Sequence, residues 1–216
     1  MIITEPKPFA ELTDSLKEYR KIFLVGCADC ATACKTGGEE QLLDMKKQLE
    51  AQGKTVLGMC IPESVCIAAK LKNELAKNMK LLRESEVILV LACGLGAQSV
   101  KDNDRLGLAV LPGCNTLFGA VMDSQGNFQE KCLLCGNCVL EATAGICPIT
   151  LCPKGLLNGP CGGMNKGKCE LDKDRDCAWV LIYRELEKKQ KLNQIKEIRK
   201  PRDFKKTLKP QKLIFK

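Results

Sequence analysis

The sequence predicts an α/β domain, then a smaller irregular cysteine-rich domain, then a basic helix and tail. Three observations carry this expectation. Short apolar runs alternate with amphipathic helical stretches through the first half of the chain, the pattern of a parallel sheet with helices on its faces. Eight of the 15 cysteines lie between Cys132 and Cys177, among turns built by Gly155, Gly159, Pro160, Gly162, Gly163 and Gly167. Residues 187–216 hold twelve Lys or Arg against three acids, while the remainder holds 22 against 23, so the net charge of +8 sits in the tail.

The elements follow in order. Phe9, Leu12, Leu16 and Tyr19 recur at helical spacing, which predicts a short helix within residues 8–20. Ile22–Val25 reads as a buried strand. Glu39–Gln52 reads as a helix with Leu42, Leu43, Met45 and Leu49 on its apolar face, stopped by Gly53. Val56–Met59 is a second strand. Pro62 suits a helix start, and a helix running to about Arg83 would carry Cys66 as a small apolar core residue. Val87–Leu91 is a third strand, Gly96–Lys101 a helix and Leu108–Leu111 a fourth strand. Residues 112–131 read as loop with a hairpin at Asp123–Asn127. Beyond Cys177, the spacing of Trp179, Leu181, Ile182, Leu186, Leu192, Ile195 and Ile198 predicts a helix to about Arg199, and the tail after Pro201 reads as extended.

These elements divide the chain into a Rossmann-like α/β domain with a cysteine-lined sheet rim over residues 1–126, a cysteine-rich domain expected to hold iron–sulfur over 127–185 and a basic helix and tail, expected to bind a partner, over 186–216. The glycines of TGG and CGLG match neither the dinucleotide nor the P-loop pattern, so no nucleotide is expected.

Histidine is absent. That removes the commonest acid/base group near neutral pH and the commonest nitrogen ligand. A metal here must be held by sulfur, which points to iron–sulfur clusters or zinc. The first residues carry no basic and apolar signal pattern, and the longest strongly apolar run, Val87–Cys93, is too short to span a bilayer. A cytoplasmic location follows as an expectation, and in that compartment thiols serve as ligands more readily than as disulfides. Neither a nucleophile–base pair nor paired carboxylates stand out, so the chain reads as a non-catalytic carrier of electrons.

Four cysteines fall at equivalent places. Cys27, Cys60, Cys93 and Cys114 each follow a predicted strand, and Cys30 and Cys34 join Cys27 in GCADCATACKTGG. In a parallel sheet these places share the edge where open α/β folds bind ligands. Cys60 and Cys93, with two of Cys27, Cys30 and Cys34, are the expected ligands of one centre. Cys114 stays outside that set.

The second group comprises Cys132, Cys135, Cys138, Cys147, Cys152, Cys161, Cys169 and Cys177. The opening C-x2-C-x2-C is ferredoxin-like, but the spacer to the next C-P is x8 where a ferredoxin has x3. Two [4Fe–4S] clusters, or one cluster and one structural zinc, both satisfy eight thiols. A zinc-binding structural or nucleic-acid module with a basic tail is the alternative. Against it, the tail offers only Phe204 and Phe215 for base stacking.

GCADCATACKTGG and ICPITLCPKGLLNGPCGGMNKGKCE resemble the methylenetetrahydrofolate reductase C-terminal family, of the MetV-type small-subunit kind, over roughly residues 20–185. The resemblance implies metal ligation by Cys27, Cys30, Cys34, Cys60 and Cys93 and by the eight C-terminal cysteines, without Cys66 or Cys114. It implies [4Fe–4S] clusters, one in the N-terminal domain and one or two in the cysteine-rich domain, with one site open to zinc and no flavin on this chain. It implies a flavin-containing MetF-type partner that reduces 5,10-methylenetetrahydrofolate to 5-methyltetrahydrofolate in the Wood–Ljungdahl methyl branch of anaerobes. A further iron–sulfur or flavoprotein subunit would donate the electrons, with no membrane and no nucleic acid involved.

Overall fold

The computed structural model describes residues 1–214; the expectation for Phe215 and for the last residue of the basic tail lies outside them. The chain divides into two compact units, Met1–Phe118 and the residues from Gly119 onwards.

In the first unit, β1 (Ile2–Pro6) and α1 (Phe9–Ser15) precede β2 (Lys21–Val25), α2 (Cys30–Ala33), α3 (Glu39–Ala51) and β3 (Thr55–Cys60). Then come α4 (Ala68–Lys77), α5 (Met79–Glu84), β4 (Val87–Val90), α6 (Gly94–Asn103) and β5 (Ala109–Pro112). Four strands form a parallel sheet in the order β3-β2-β4-β5. The expected α/β sheet is present, but its first parallel strand lies between the second and third. This is the flavodoxin-like order of doubly wound sheets, not the 3-2-1-4 order of a Rossmann sheet.

Both faces of the sheet are covered. Ile22, Leu24, Val87 and Leu89 point to one face and pack with Leu12, Leu16, Leu42 and Leu49. Phe23, Val25, Ile88 and Val90 point to the other and pack with Leu71, Leu75 and Leu82. Side chains alternate along a strand, so a strand buried on both faces must be apolar throughout.

Three local expectations change. Helix α1 stops at Ser15 because the next carbonyls turn to Lys54, whose Nζ donates to Leu16 and Tyr19 at 2.7 Å each. The helix expected from Pro62 begins only at Ala68. Residues 61–67 are held as a loop by Ala28 N–H donating to the Pro62 carbonyl at 3.0 Å and by Ser64 Oγ donating to Asp29 at 3.2 Å. Cys66 is therefore exposed in a loop, not buried in a helix. The helix also breaks at Asn78, whose Nδ2 donates to the Glu74 carbonyl at 2.9 Å.

The stretch expected as loop contains β6 (Cys114–Met122) and β7 (Phe128–Glu130). Strands β1, β6 and β7 form a second sheet in the order β1-β6-β7. The expected hairpin is present, with Met122 opposite Phe128 and the Asp123 carboxylate accepting from the N–H groups of Gln125 and Asn127 at 2.9 Å each.

In the second unit, helices are short. Pro148–Leu151 forms α7 and Ala178–Lys188 forms α8. Trp179, Ile182 and Leu186 of α8 make the core with Ile146 and Leu156. The helix ends well before Arg199, because Gln190 takes a left-handed conformation (φ 54°) and Lys191 N–H closes back on the Leu186 carbonyl at 2.8 Å. The tail beyond Pro201 is not wholly extended, since Phe204–Thr207 forms a 3-10 turn.

Candidate metal centres

The sheet edge comes first. Strands β2, β3 and β4 are neighbours, so the loops leaving their carboxyl ends gather together. The β2 loop carries Cys27, Cys30 and Cys34, the β3 end carries Cys60, the following loop carries Cys66, and Cys93 precedes α6. Cys114 opens β6 after the turn from β5. Cys27, Cys60 and Cys114 are buried, Cys30, Cys34 and Cys93 are half-buried, and Cys66 is exposed.

These thiols are not equivalent. Burial, helped by Glu74, pushes the Cys60 thiol up to about 12. Burial likewise pushes Cys114 up to about 11, outweighing a hydrogen bond with the Thr36 side chain that lowers it, and Cys93 and Cys34 add to the rise; the thiol itself donates to the Thr36 carbonyl at 3.7 Å. Partial desolvation raises Cys66, and the neighbouring thiols Cys93, Cys27 and Cys30 raise it further. Spacing alone places Cys66 in a helix core; the loop hydrogen bonds that expose it leave no mark in spacing.

The eight cysteines of the second unit separate into two sets of four. Cys132, Cys135, Cys138 and Cys147 line one cavity of about 210 Å³, together with Leu133, Leu140 and Ile149. Left-handed residues Leu134 (φ 54°) and Gly136 (φ 68°) bend the chain between the first three thiols. Leu134 N–H donates to Cys132 Sγ at 3.3 Å, and Thr150 Oγ1 donates to Cys147 Sγ at 3.5 Å. Donors aimed at sulfur tune any centre it binds.

Cys152, Cys161, Cys169 and Cys177 line the other cavity, of about 20 Å³, with Trp179 beside them. Cys169 N–H donates to the Arg175 carbonyl at 2.9 Å and Cys177 N–H to the Gly167 carbonyl at 2.8 Å, which closes a small loop between these two thiols. Lys154 and Glu170 form an ion pair at the cavity wall. Lys154 holds the Glu170 carboxyl below the usual range, and Cys161 hydrogen-bonds to it.

All fifteen thiols are free. Among the described residues, no group of three or more His, Cys, Asp or Glu side chains is arranged to hold a metal ion as it stands. Ligation requires the thiols around each cavity to turn towards a common centre, as expected where metal binding is coupled to ordering of its site. The donor sets fit sulfur-bound iron or zinc, with four thiols per cavity and no competing imidazole.

Residues 111–205 match the family described as methylene-tetrahydrofolate reductase C terminal. The match takes in every cysteine of both cavities. No curated protein and no solved structure matches the chain. Among the described residues, no helix is long and apolar enough to cross a membrane.

Proposed function

We propose that this chain is the iron–sulfur electron-transfer subunit of a methylenetetrahydrofolate reductase. It passes electrons to the flavin of a MetF-type partner, which reduces 5,10-methylenetetrahydrofolate to 5-methyltetrahydrofolate in the methyl branch of one-carbon metabolism. The observation that carries this reading is the division of the matched segment's eight cysteines into two foursomes, each around its own cavity. The match to the methylene-tetrahydrofolate reductase C-terminal family supports the choice of reaction.

The two cavities suit different occupants. A volume of about 20 Å³ has room for roughly one water-sized centre. Cys152, Cys161, Cys169 and Cys177 therefore suit a single tetrahedral ion, zinc by its preference for four thiolates. The roomier cavity suits a polynuclear cluster on Cys132, Cys135, Cys138 and Cys147. A cluster of this kind relays one electron at a time without bond-making in the substrate. The protein's part is to hold four thiolates, aim Leu134 N–H and Thr150 Oγ1 at sulfur, and shelter the site with Leu133, Leu140 and Ile149.

The test is anaerobic purification with iron, acid-labile sulfide and zinc counted per chain. The expected protein is brown, absorbs broadly near ~400 nm, bleaches on reduction and, once reduced, reduces the partner's flavin. A colourless chain carrying zinc alone overturns the reading.

A further inference from the structure

The α/β unit holds a thiol that neither the cysteine pattern nor the family match assigns. We propose that Cys27, Cys30, Cys66 and Cys93 together ligate one metal centre at the sheet edge, with Cys60 outside it. This rests on the reading that the first unit carries a sulfur-ligated centre of its own.

The topology brings the four together. The middle strand β2 has β3 on one side and β4 on the other, and the loops beyond such a strand bound a crevice at the carboxyl edge. The loop after β3 is pulled over that crevice. Gly26 N–H donates to the Cys60 carbonyl at 2.9 Å, Ala28 N–H to the Pro62 carbonyl at 3.0 Å, and Ser64 Oγ to Asp29, next to Cys30, at 3.2 Å. These bonds span the segment between Cys27 and Cys30, and Val65, beside Cys66, packs on the first turn of α6 after Cys93, where a Cβ on Gly96 would lie 3.3 Å from its Cγ1.

Cys60 differs in its place. It is still a residue of strand β3, in register with Val25 of β2, and its side chain is 6% exposed in the core it shares with Cys27, Leu71 and Leu75. The remaining two rim thiols are engaged by carbonyls, Cys34 by Ile2 at 3.8 Å and Cys114 by Thr36 at 3.7 Å. The proposed foursome grades from buried Cys27 through half-buried Cys30 and Cys93 to exposed Cys66. That gradient gives an ion an entry side and a way for the released thiol protons to reach water. Four thiolates complete one [4Fe–4S] cluster or one tetrahedral ion.

The test uses the full chain, reconstituted anaerobically with ferrous iron and sulfide. Cys66→Ala is exposed in a loop and leaves the core intact. It is expected to lose one centre's complement of iron and sulfide, the same loss as Cys93→Ala, with no further loss in the double variant. Cys60→Ala and Cys114→Ala are expected to keep the full complement and the unaltered paramagnetic spectrum of the reduced protein. Full iron and an unchanged spectrum in Cys66→Ala overturn the proposal, as does loss of the centre in a Cys60→Ala variant with native circular dichroism. If Cys93→Ala and Cys27→Ala also lose nothing, the first unit holds no centre, and it is the underlying reading that fails.

Discussion

The Trp179 indole N–H donates to the Leu156 carbonyl at 3.0 Å. Leu156 lies between Cys152 and Cys161, and Trp179 is two residues past Cys177. One hydrogen bond thus ties the loop of two thiols to the helix that follows a third. Trp179 is also the only tryptophan in the chain and lines the smaller cavity. Trp179→Phe keeps the apolar bulk but leaves the carbonyl without its donor, at a cost of about 1–3 kcal/mol. Urea unfolding of the metal-free protein is expected to show that loss. In the native chain, tryptophan emission is expected to shift on titration with zinc, and it should no longer respond in Cys161→Ala.

The two foursomes of the second unit are expected to lose their metals independently. Cys135→Ala removes a thiol of the larger cavity, so visible absorbance should fall while zinc stays. Cys161→Ala removes one from the smaller cavity, so zinc should go while colour stays. Lys154 adds a finer test. Its ammonium pairs with Glu170 and also reaches Cys161, so it sets a positive charge beside the four thiols of this cavity. Lys154→Met is expected to weaken zinc binding by about tenfold, most strongly at the acid end of the range, where protons compete for sulfur. Competition against a chelating dye across pH reads this out.

Burial of two rim thiols makes stability fall in alkali. Cys114 is pushed from 9.0 up to about 11 and Cys60 from 9.0 up to about 12. Between those limits the folded chain keeps protons that the unfolded chain gives up. The contribution is therefore complete below pH 9 and is lost as the pH climbs through 11 and then 12. The slope approaches about 1.4 kcal/mol per pH unit for each thiol. Unfolding of the metal-free protein at pH 8, 10 and 11 should show the decline, and Cys114→Ala should flatten it. The same two thiols should be the slowest to alkylate at pH 8.

The elements legible in the sequence are those whose signal is local. Ile22–Val25 and Val87–Val90 are apolar throughout because both sheet faces are covered, and α3 shows its period and its stop at Gly53. Strand β1 leaves no local signal because it gains its ladder from β6, more than a hundred residues along the chain. Cys66 lies in a loop and not in the expected helix for a similar reason. Pro62 suits a helix start by itself, and only its hydrogen-bonded partner Ala28, from another loop, keeps the chain irregular. The cysteines were legible as candidate ligands, but their division was not. The break falls between Cys147 and Cys152, across the single turn of α7, and the x8 spacer to Cys147 matches no simple motif. Only the cavities show which thiols share a wall.

The turn that carries the first cysteines depends on Gly37. A Cβ there would lie 1.8 Å from the Leu91 carbonyl oxygen and 2.9 Å from its carbon. Both are backbone atoms just past β4, so neither can swing aside. Gly37 also accepts from Cys27 N–H at 2.9 Å, while its own N–H donates to the Ala31 carbonyl at 3.2 Å. Gly37→Ala therefore has to move either the sheet or the loop, and the loop is the softer of the two. A cost of about 1–3 kcal/mol is expected from overpacking alone. Because the displaced loop holds Cys27 and Cys30, the variant should also lose iron from the sheet-edge centre while the eight cysteines of the second unit keep theirs. Thermal unfolding gives the first quantity, and metal analysis of the anaerobic protein gives the second. A Gly37→Ala chain of native stability would show that the loop and strand β4 are not in close contact there.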